Sequence, residues 1–544
     1  MKALVLGLDG ATFRVLTPLM RSGHMPELQR ALQGGVWGEL LSTKPPITAL
    51  AWPTFMTGNN PGKHGLLSWQ APLNERFERP WISARQIQGA KLWHLLGDAG
   101  LRVCVYNVPV TYPPEPVNGV MVAGMMTPDV RSAFTYPPDL REELLSAFPG
   151  YQVDIDTQHT ERDPLNLTHM QRLTAEAAAV TQVRGEALRW LLARERPDVA
   201  VAVFEMPDRL QHLLWKYIAC LPDSHPQLPN AGIMRSELLR CFSVLDAEMG
   251  KLLQMLPDDA HLALVSDHGF GPIDTMVHLN HWLAGHGWLR FAAGAAGRRE
   301  ALRRIGRLVK RWLPNAWMRR ARSSFSVLQT VDWQQTRAYA GLPSEYGVFL
   351  NLRGREPAGT IAPQEYAGLR AEIMEALRGW RDPRTGAHLV QQVHTREEIY
   401  TGPHVDQAPD ILIEFAPGYH VAFLPYQGDT LLDVSALPLG FHEPEGIFAL
   451  RGPGVAQQDA PVSARIEDVL PTLLYALQIP VPQGLDGAAQ VGLFSTEWRA
   501  AHPLQSAEPV EPAARQSSNQ PVAVYSAEEE ERLARRLKEL GYLN

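Results

Sequence analysis

Cysteine is scarce: Cys104, Cys220 and Cys241 are the only three in 544 residues, and no Cys-x-x-Cys pair occurs. This excludes a disulfide framework and a thiolate zinc site, and reads as three reduced thiols in packed positions. Surplus positive charge is also missing, with 51 basic residues against 58 acidic ones and a net charge of -7. A general nucleic-acid binder depends on excess Lys and Arg facing phosphates, so no nucleic-acid polymer is expected as a partner. No apolar run reaches the roughly 18 residues that a bilayer span needs. The opening segment from Met1 to Gly10 is apolar only briefly and ends on Asp9, without a small-residue cleavage site. It reads as a first buried strand rather than a signal peptide, and the cytoplasm is the expected compartment.

What is present is a globular composition, 45% hydrophobic and 20% charged, in a chain long enough to bury a large core. Short β-rich runs recur at Ala3 to Leu8, Val103 to Tyr106, Val199 to Phe204, Leu262 to Val265 and Ile447 to Leu450. Helix-like stretches, Thr174 to Glu195 and Ser236 to Leu256, lie between several of them. Strands alternating with helices predict a doubly wound α/β core, a largely parallel central sheet with helices on both faces. Ligands of such sheets bind beyond the carboxyl ends of the strands, so the polar residues that follow each run are the first candidates for chemistry.

The core is expected over 1–290 and 330–500, with 128–180 as a cap segment. Residues 291–329 read as a basic helical insertion. Within 298–322, Arg298, Arg299, Arg303, Arg304, Arg307, Lys310, Arg311, Arg319, Arg320 and Arg322 face a single acid, Glu300. Leu302, Ile305, Leu308, Val309 and Trp312 interleave with them, which makes the helix amphipathic. Its simpler reading is a solvated face; the other is peripheral contact with an anionic membrane or guidance of an anionic substrate. Residues 501–525 read as a Pro- and Ala-rich linker. Over 526–544, Ser526 followed by early acids and late bases predicts a capped C-terminal helix.

Five places carry candidate chemistry. Asp9 ends the first strand beside Gly10, where it could equally cap a helix. Thr48 follows Lys44-Pro45-Pro46-Ile47 and opens a helical pattern, which would present its hydroxyl and amide where anions bind; by spacing alone an ordinary N-cap threonine is the simpler reading. Asp208 and His212 stand four residues apart, on one face of a helical turn, with donors suited to zinc; a surface pair fits the spacing as well. Asp267 and His268 emerge together from an apolar run into Gly269-Phe270-Gly271, where a buried charge is costly unless paired or metal-bound. His442 sits in a polar turn before a strand and gains weight only through partners.

Together the motifs resemble the type I phosphodiesterase and nucleotide pyrophosphatase branch of the alkaline phosphatase superfamily, from Lys2 to about Gly487. Ser266-Asp267-His268-Gly269 and the stretch from Glu467 through Tyr475 to Pro482 and Gly487 also carry that likeness. The resemblance implies that Asp9, Thr48, Asp267 and His268 surround one metal ion and that Asp208, His212 and His442 hold a second. It further implies a phosphoesterase, acting on monoesters or diesters, that works through a phosphothreonine intermediate on Thr48. Oxygen and nitrogen donors without thiolate point to two divalent ions, zinc or alternatively manganese.

One departure from that family matters: an asparagine expected three residues after the nucleophile is Ala51 here, which weighs against nucleotide substrates. A sulfatase would need a Cys or Ser nucleophile in a Cys/Ser-x-Pro-x-Arg context, which Ile47 to Ala51 does not supply. A phosphotransferase or mutase on the same core stays open, as does a noncatalytic phosphate or lipid-headgroup binder. Lys63 and His64, in a loop too short for a P-loop, are candidate substrate contacts. His278, His281 and His286 read as structural, with Asn280 capping the helix that follows.

Overall fold

The computed structural model describes residues 1–155, 165–292, 330–422, 430–458, 460–509 and 524–542. The basic stretch 298–322 and most of the expected linker lie outside the described residues, as do Asp156, His159 and Arg162 of the expected cap segment.

A nine-stranded mixed sheet runs in the order Val462–Arg465, Val36–Leu41, Glu445–Arg451, His261–Val265, Ala3–Leu8, Val199–Phe204, Val103–Tyr106, Gly119–Val122, Thr135–Tyr136. The four strands from His261–Val265 to Val103–Tyr106 lie parallel, as alternation of strands and helices predicts. Strand Glu445–Arg451 runs antiparallel to both of its neighbours, and Thr135–Tyr136 runs antiparallel at the far edge. Helices cover both sides of the sheet. The central strand Ala3–Leu8 is buried along its whole length, which explains its unbroken apolar run.

Two glycines shape the ground under the site. A Cβ on Gly7 would lie 2.5 Å from the Trp52 ring, so only glycine lets that indole pass beneath the central strand. Gly10 has φ +68 and turns the chain sharply just after Asp9, close against the backbone of Asp208.

Within 128–180, Thr135–Tyr136 is an edge strand of the main sheet, and helix Leu167–Glu195 packs along helix Ala231–Leu253. A second antiparallel sheet of four strands, Ala338–Tyr339, Gly347–Leu350, Ile411–Phe415 and Val390–Thr395, has its own apolar core with helix Pro363–Arg378. It stands in the chain between His268 and His442, so these residues meet only through the fold.

The C-terminal helix is Ala527–Glu539, with the Ser526 hydroxyl accepting from Glu529 N at 3.3 Å. It is docked, not free: Leu533, Leu537 and Leu540 are buried, and Arg536 donates to the carbonyls of Thr127 and Pro128 at 3.1 and 3.2 Å. One expected cap is corrected. Helix Leu279–Gly285 starts after His278, and the Asn280 side chain instead bonds the backbone of Ala340 through both its oxygen and its nitrogen. That strand neighbour offers a donor and an acceptor together, which a helix terminus does not.

Candidate metal centre and active site

Most candidate side chains stand at or near the ends of elements. Asp9 follows the central strand; Asp208 and His212 lie in the first turns of helix Met206–Ile218, just after strand Val199–Phe204. Asp267 and His268 occupy the gap between strand His261–Val265 and strand Gly269–Pro272. Thr48 is the first residue of the ten-residue helix Thr48–Thr57, preceded by the extended Ile47. His442 lies inside the short strand Gly440–Glu443, paired antiparallel with Gly269–Pro272 and facing Phe270, not in a turn. Close packing makes that strand: a side chain on Gly440 would strike Trp215, and one on Gly271 would strike Glu443.

The fold brings these residues into two trios, Asp208 with His212 and His442, and Asp9 with Asp267 and His268, each with its donor atoms within 4.8 Å of one another. All six are buried, as is Thr48. Thr48 Oγ1 stands 3.1 Å from His268 Nε2, and the rings of His268 and His442 stack with centroids 3.4 Å apart, so the trios adjoin at the threonine.

Surrounding groups orient the donors. His442 Nδ1 donates to the Pro46 carbonyl at 2.8 Å and His268 Nδ1 to the Gly269 carbonyl at 3.2 Å, so both rings turn Nε2 into the site. Asp9 Oδ2 accepts from Trp52 Nε1 at 3.0 Å, and Asp267 Oδ1 from Gly10 N at 3.3 Å. Gln211 Nε2 donates to Gly10 O at 2.7 Å, tying the helix of Asp208 to the turn after Asp9. Arg209 pairs with Asp208 and grips Asp154 with two nitrogens at 2.9 and 3.2 Å. Arg536 of the C-terminal helix reaches Asp154 at 3.5 Å.

The electrostatics are those of a site built around missing positive charge. Burial, reinforced by Asp267 and Asp208, pushes the Asp9 carboxyl well above the usual carboxylate range, and burial together with Asp208 does the same to Asp267. Burial opposes ionisation of Asp208 too, but His212 and Arg209 outweigh it and hold that carboxyl well below its usual range. Burial, with His212 nearby, lowers His442 to about 4, and burial with His442 holds His268 well below its usual value. Asp9 Oδ1, Asp208 Oδ1 and Asp267 Oδ2 are buried without a hydrogen-bond partner. Three orphaned carboxylate oxygens gathered beside imidazole nitrogens are costly unless cations occupy the space, and the donor set therefore fits divalent metal ions.

Residues 3–431 match the type I phosphodiesterase / nucleotide pyrophosphatase family. The chain belongs to this family. It is thereby a metal-dependent phosphoesterase of the alkaline phosphatase superfamily, a hydrolase acting on phosphoester bonds. The match ends before His442, whose place at the site comes from the fold alone. Among solved structures, phosphonoacetate hydrolase from Sinorhizobium meliloti 1021, in complexes with phosphonoformate and with phosphonoacetate, is 17% identical, with a TM-score of 0.53 over 88% of this chain and 95% of that one. Murine ectonucleotide pyrophosphatase / phosphodiesterase 5 is 15% identical, with a TM-score of 0.49 over 91% of this chain and 100% of that one. No curated protein sequence matches the chain. No helix among the described residues is long and apolar enough to cross a membrane.

The other candidates are placed differently. His64 has both ring nitrogens engaged, one near Thr54 Oγ1 at 3.1 Å and the other accepting from Leu66 N at 3.2 Å. Lys63 pairs with Asp486 at 2.6 Å and donates to Gly484 O at 2.9 Å. Sequence reasoning missed Trp52, Arg209 and Tyr542, whose hydroxyl lies 3.2 Å from His212 Nε2. Arg209 had a signal in its adjacency to Asp208; Trp52 and Tyr542 had none, because an apolar residue in an apolar or amphipathic segment reads as core.

Proposed function

We propose that this phosphodiesterase-family chain hydrolyses a small phosphoric ester with Thr48 as nucleophile. In this reading Asp9, Thr48, Asp267 and His268 hold one divalent ion, and Asp208, His212 and His442 hold the other. The observation that carries it is the pair of buried trios converging on Thr48 with three carboxylate oxygens left unpartnered. When bound, two such ions supply Lewis acidity at the attacking and leaving oxygens of an in-line displacement. The all-oxygen-and-nitrogen donor set favours zinc, with manganese as the alternative.

The chain's own groups then divide the work. Thr48 Oγ1 attacks phosphorus, forming an O–P bond as the bond to the leaving alcohol breaks; water later cleaves the phosphothreonine and restores the hydroxyl. Thr48 opens a ten-residue helix whose first amides favour the phosphoryl anion. Trp52, Pro46 and Gly269 fix the orientation of Asp9, His442 and His268. With Ala51 three residues past the nucleophile, no side-chain amide is available there for a phosphate oxygen, which favours substrates other than nucleotides. Screening p-nitrophenyl phosphate, its bis ester and a phosphonate ester defines the class. Thr48→Ala is expected to fold and to bind metal but to lose turnover; activity like wild type in that variant ends the assignment.

A further inference from the structure

Tyr542, just beyond helix Ala527–Glu539, also enters the site. Tyr542 is fully buried, with its ring 5.0 Å from that of Trp69. Its hydroxyl lies 3.2 Å from His212 Nε2, 3.1 Å from His442 Nε2 and 3.5 Å from Thr48 Oγ1.

Those distances have a geometric meaning. Four donors placed about 2.0 Å from one tetrahedral zinc ion stand about 3.3 Å from one another. Within the first trio, Asp208 Oδ1 lies 3.3 Å from His212 Nε2 and 3.2 Å from His442 Nε2, and the two imidazole nitrogens are 3.1 Å apart. These are three edges of such a tetrahedron. The two distances from Tyr542 to the imidazoles, 3.2 and 3.1 Å, are of that same length, as suits a further donor to the same ion. We propose that Tyr542 is the fourth ligand of the ion held by Asp208, His212 and His442, so that a residue delivered by helix Ala527–Glu539 fills the coordination position the trio leaves open. The proposal rests on the two-ion reading above.

The tail is built to deliver that oxygen. Leu533, Leu537 and Leu540 anchor the helix, and Tyr525 stacks on Tyr112 while its hydroxyl donates to the Ile82 carbonyl at 3.1 Å. Arg536 joins the helix to Asp154, which in turn holds Arg209 against Asp208. Because the hydroxyl also faces Thr48, it stands where a phosphoryl oxygen has to approach the nucleophile. A phosphate ion and Tyr542 therefore compete for one position.

The test is a cobalt(II) titration of the full chain, followed by its visible absorbance, for wild type and Tyr542→Phe. The substitution keeps the ring against Trp69 and removes only the oxygen. One of two cobalt-binding steps should weaken about tenfold or more, since even partners outside the coordination sphere are worth that much. The cobalt spectrum should change, and inorganic phosphate should bind the loaded variant more tightly than wild type. Unchanged cobalt affinity and spectrum in a folded Tyr542→Phe overturn the proposal and leave the two-ion reading standing. A wild-type chain that binds no cobalt overturns both.

Discussion

Replacing Trp52 by Phe isolates one hydrogen bond next to the metal centre. Trp52 is 1% exposed, and its indole nitrogen donates to Asp9 Oδ2 at 3.0 Å, while Asp9 Oδ1 has no partner. A hydrogen bond to a charged group contributes about 1.5 to 3 kcal/mol. At about 1.4 kcal/mol for each factor of ten, that predicts metal affinity lower by roughly ten- to a hundredfold, the range typical of groups that orient a metal ligand. The smaller ring also leaves space beneath Gly7, so the metal-free protein should lose stability as well, and the two effects must be measured apart. Zinc or cobalt titration reads the first, and denaturant unfolding of the metal-free chain reads the second. Destabilisation accompanied by a change in metal affinity of less than about threefold would show that the indole acts by packing and not by orienting Asp9.

Arg209 is fully buried between Asp208 and Asp154. Arg209→Met should cost about 3 to 5 kcal/mol in urea unfolding, since two carboxylates lose their partner, and adding Asp154→Leu should recover part of it; an additive double variant contradicts the pairing. A pH effect follows from His64, whose imidazole burial, aided by His404, lowers to about 3 from an ordinary 6.5. The folded value lies below the unfolded one, so its contribution is complete above about pH 6.5 and is lost as pH falls, by up to about 1.4 kcal/mol per pH unit. His64→Gln should flatten that slope by close to one proton between about pH 6.5 and pH 4, and equal slopes in the two proteins would reject the assignment.

Buried elements were legible in the chain. The strands Ala3–Leu8, Val103–Tyr106 and Val199–Phe204 coincide with continuous apolar runs, because a strand covered on both faces needs no polar alternation. Strands Val36–Leu41 and Val462–Arg465 escaped, the first because half-burial alternates its pattern and the second because it lies at a solvent-facing edge. The family resemblance and the family match agree on a metal-dependent phosphoesterase, while the geometry corrects the turn expected at His442 and the cap expected at Asn280.

By itself the sequence determined what short-range spacing can encode. A helical turn of fixed pitch puts Asp208 beside His212, and a strand end puts Asp267 and His268 together at the sheet edge. Which distant segments share a space depends on strand order and on the packing of whole elements, and no local spacing carries that information. Only the tertiary structure decided that His442 completes the first trio across an inserted sheet, that Trp52 reaches Asp9 under a glycine, and that Tyr542 ends against His212 and His442.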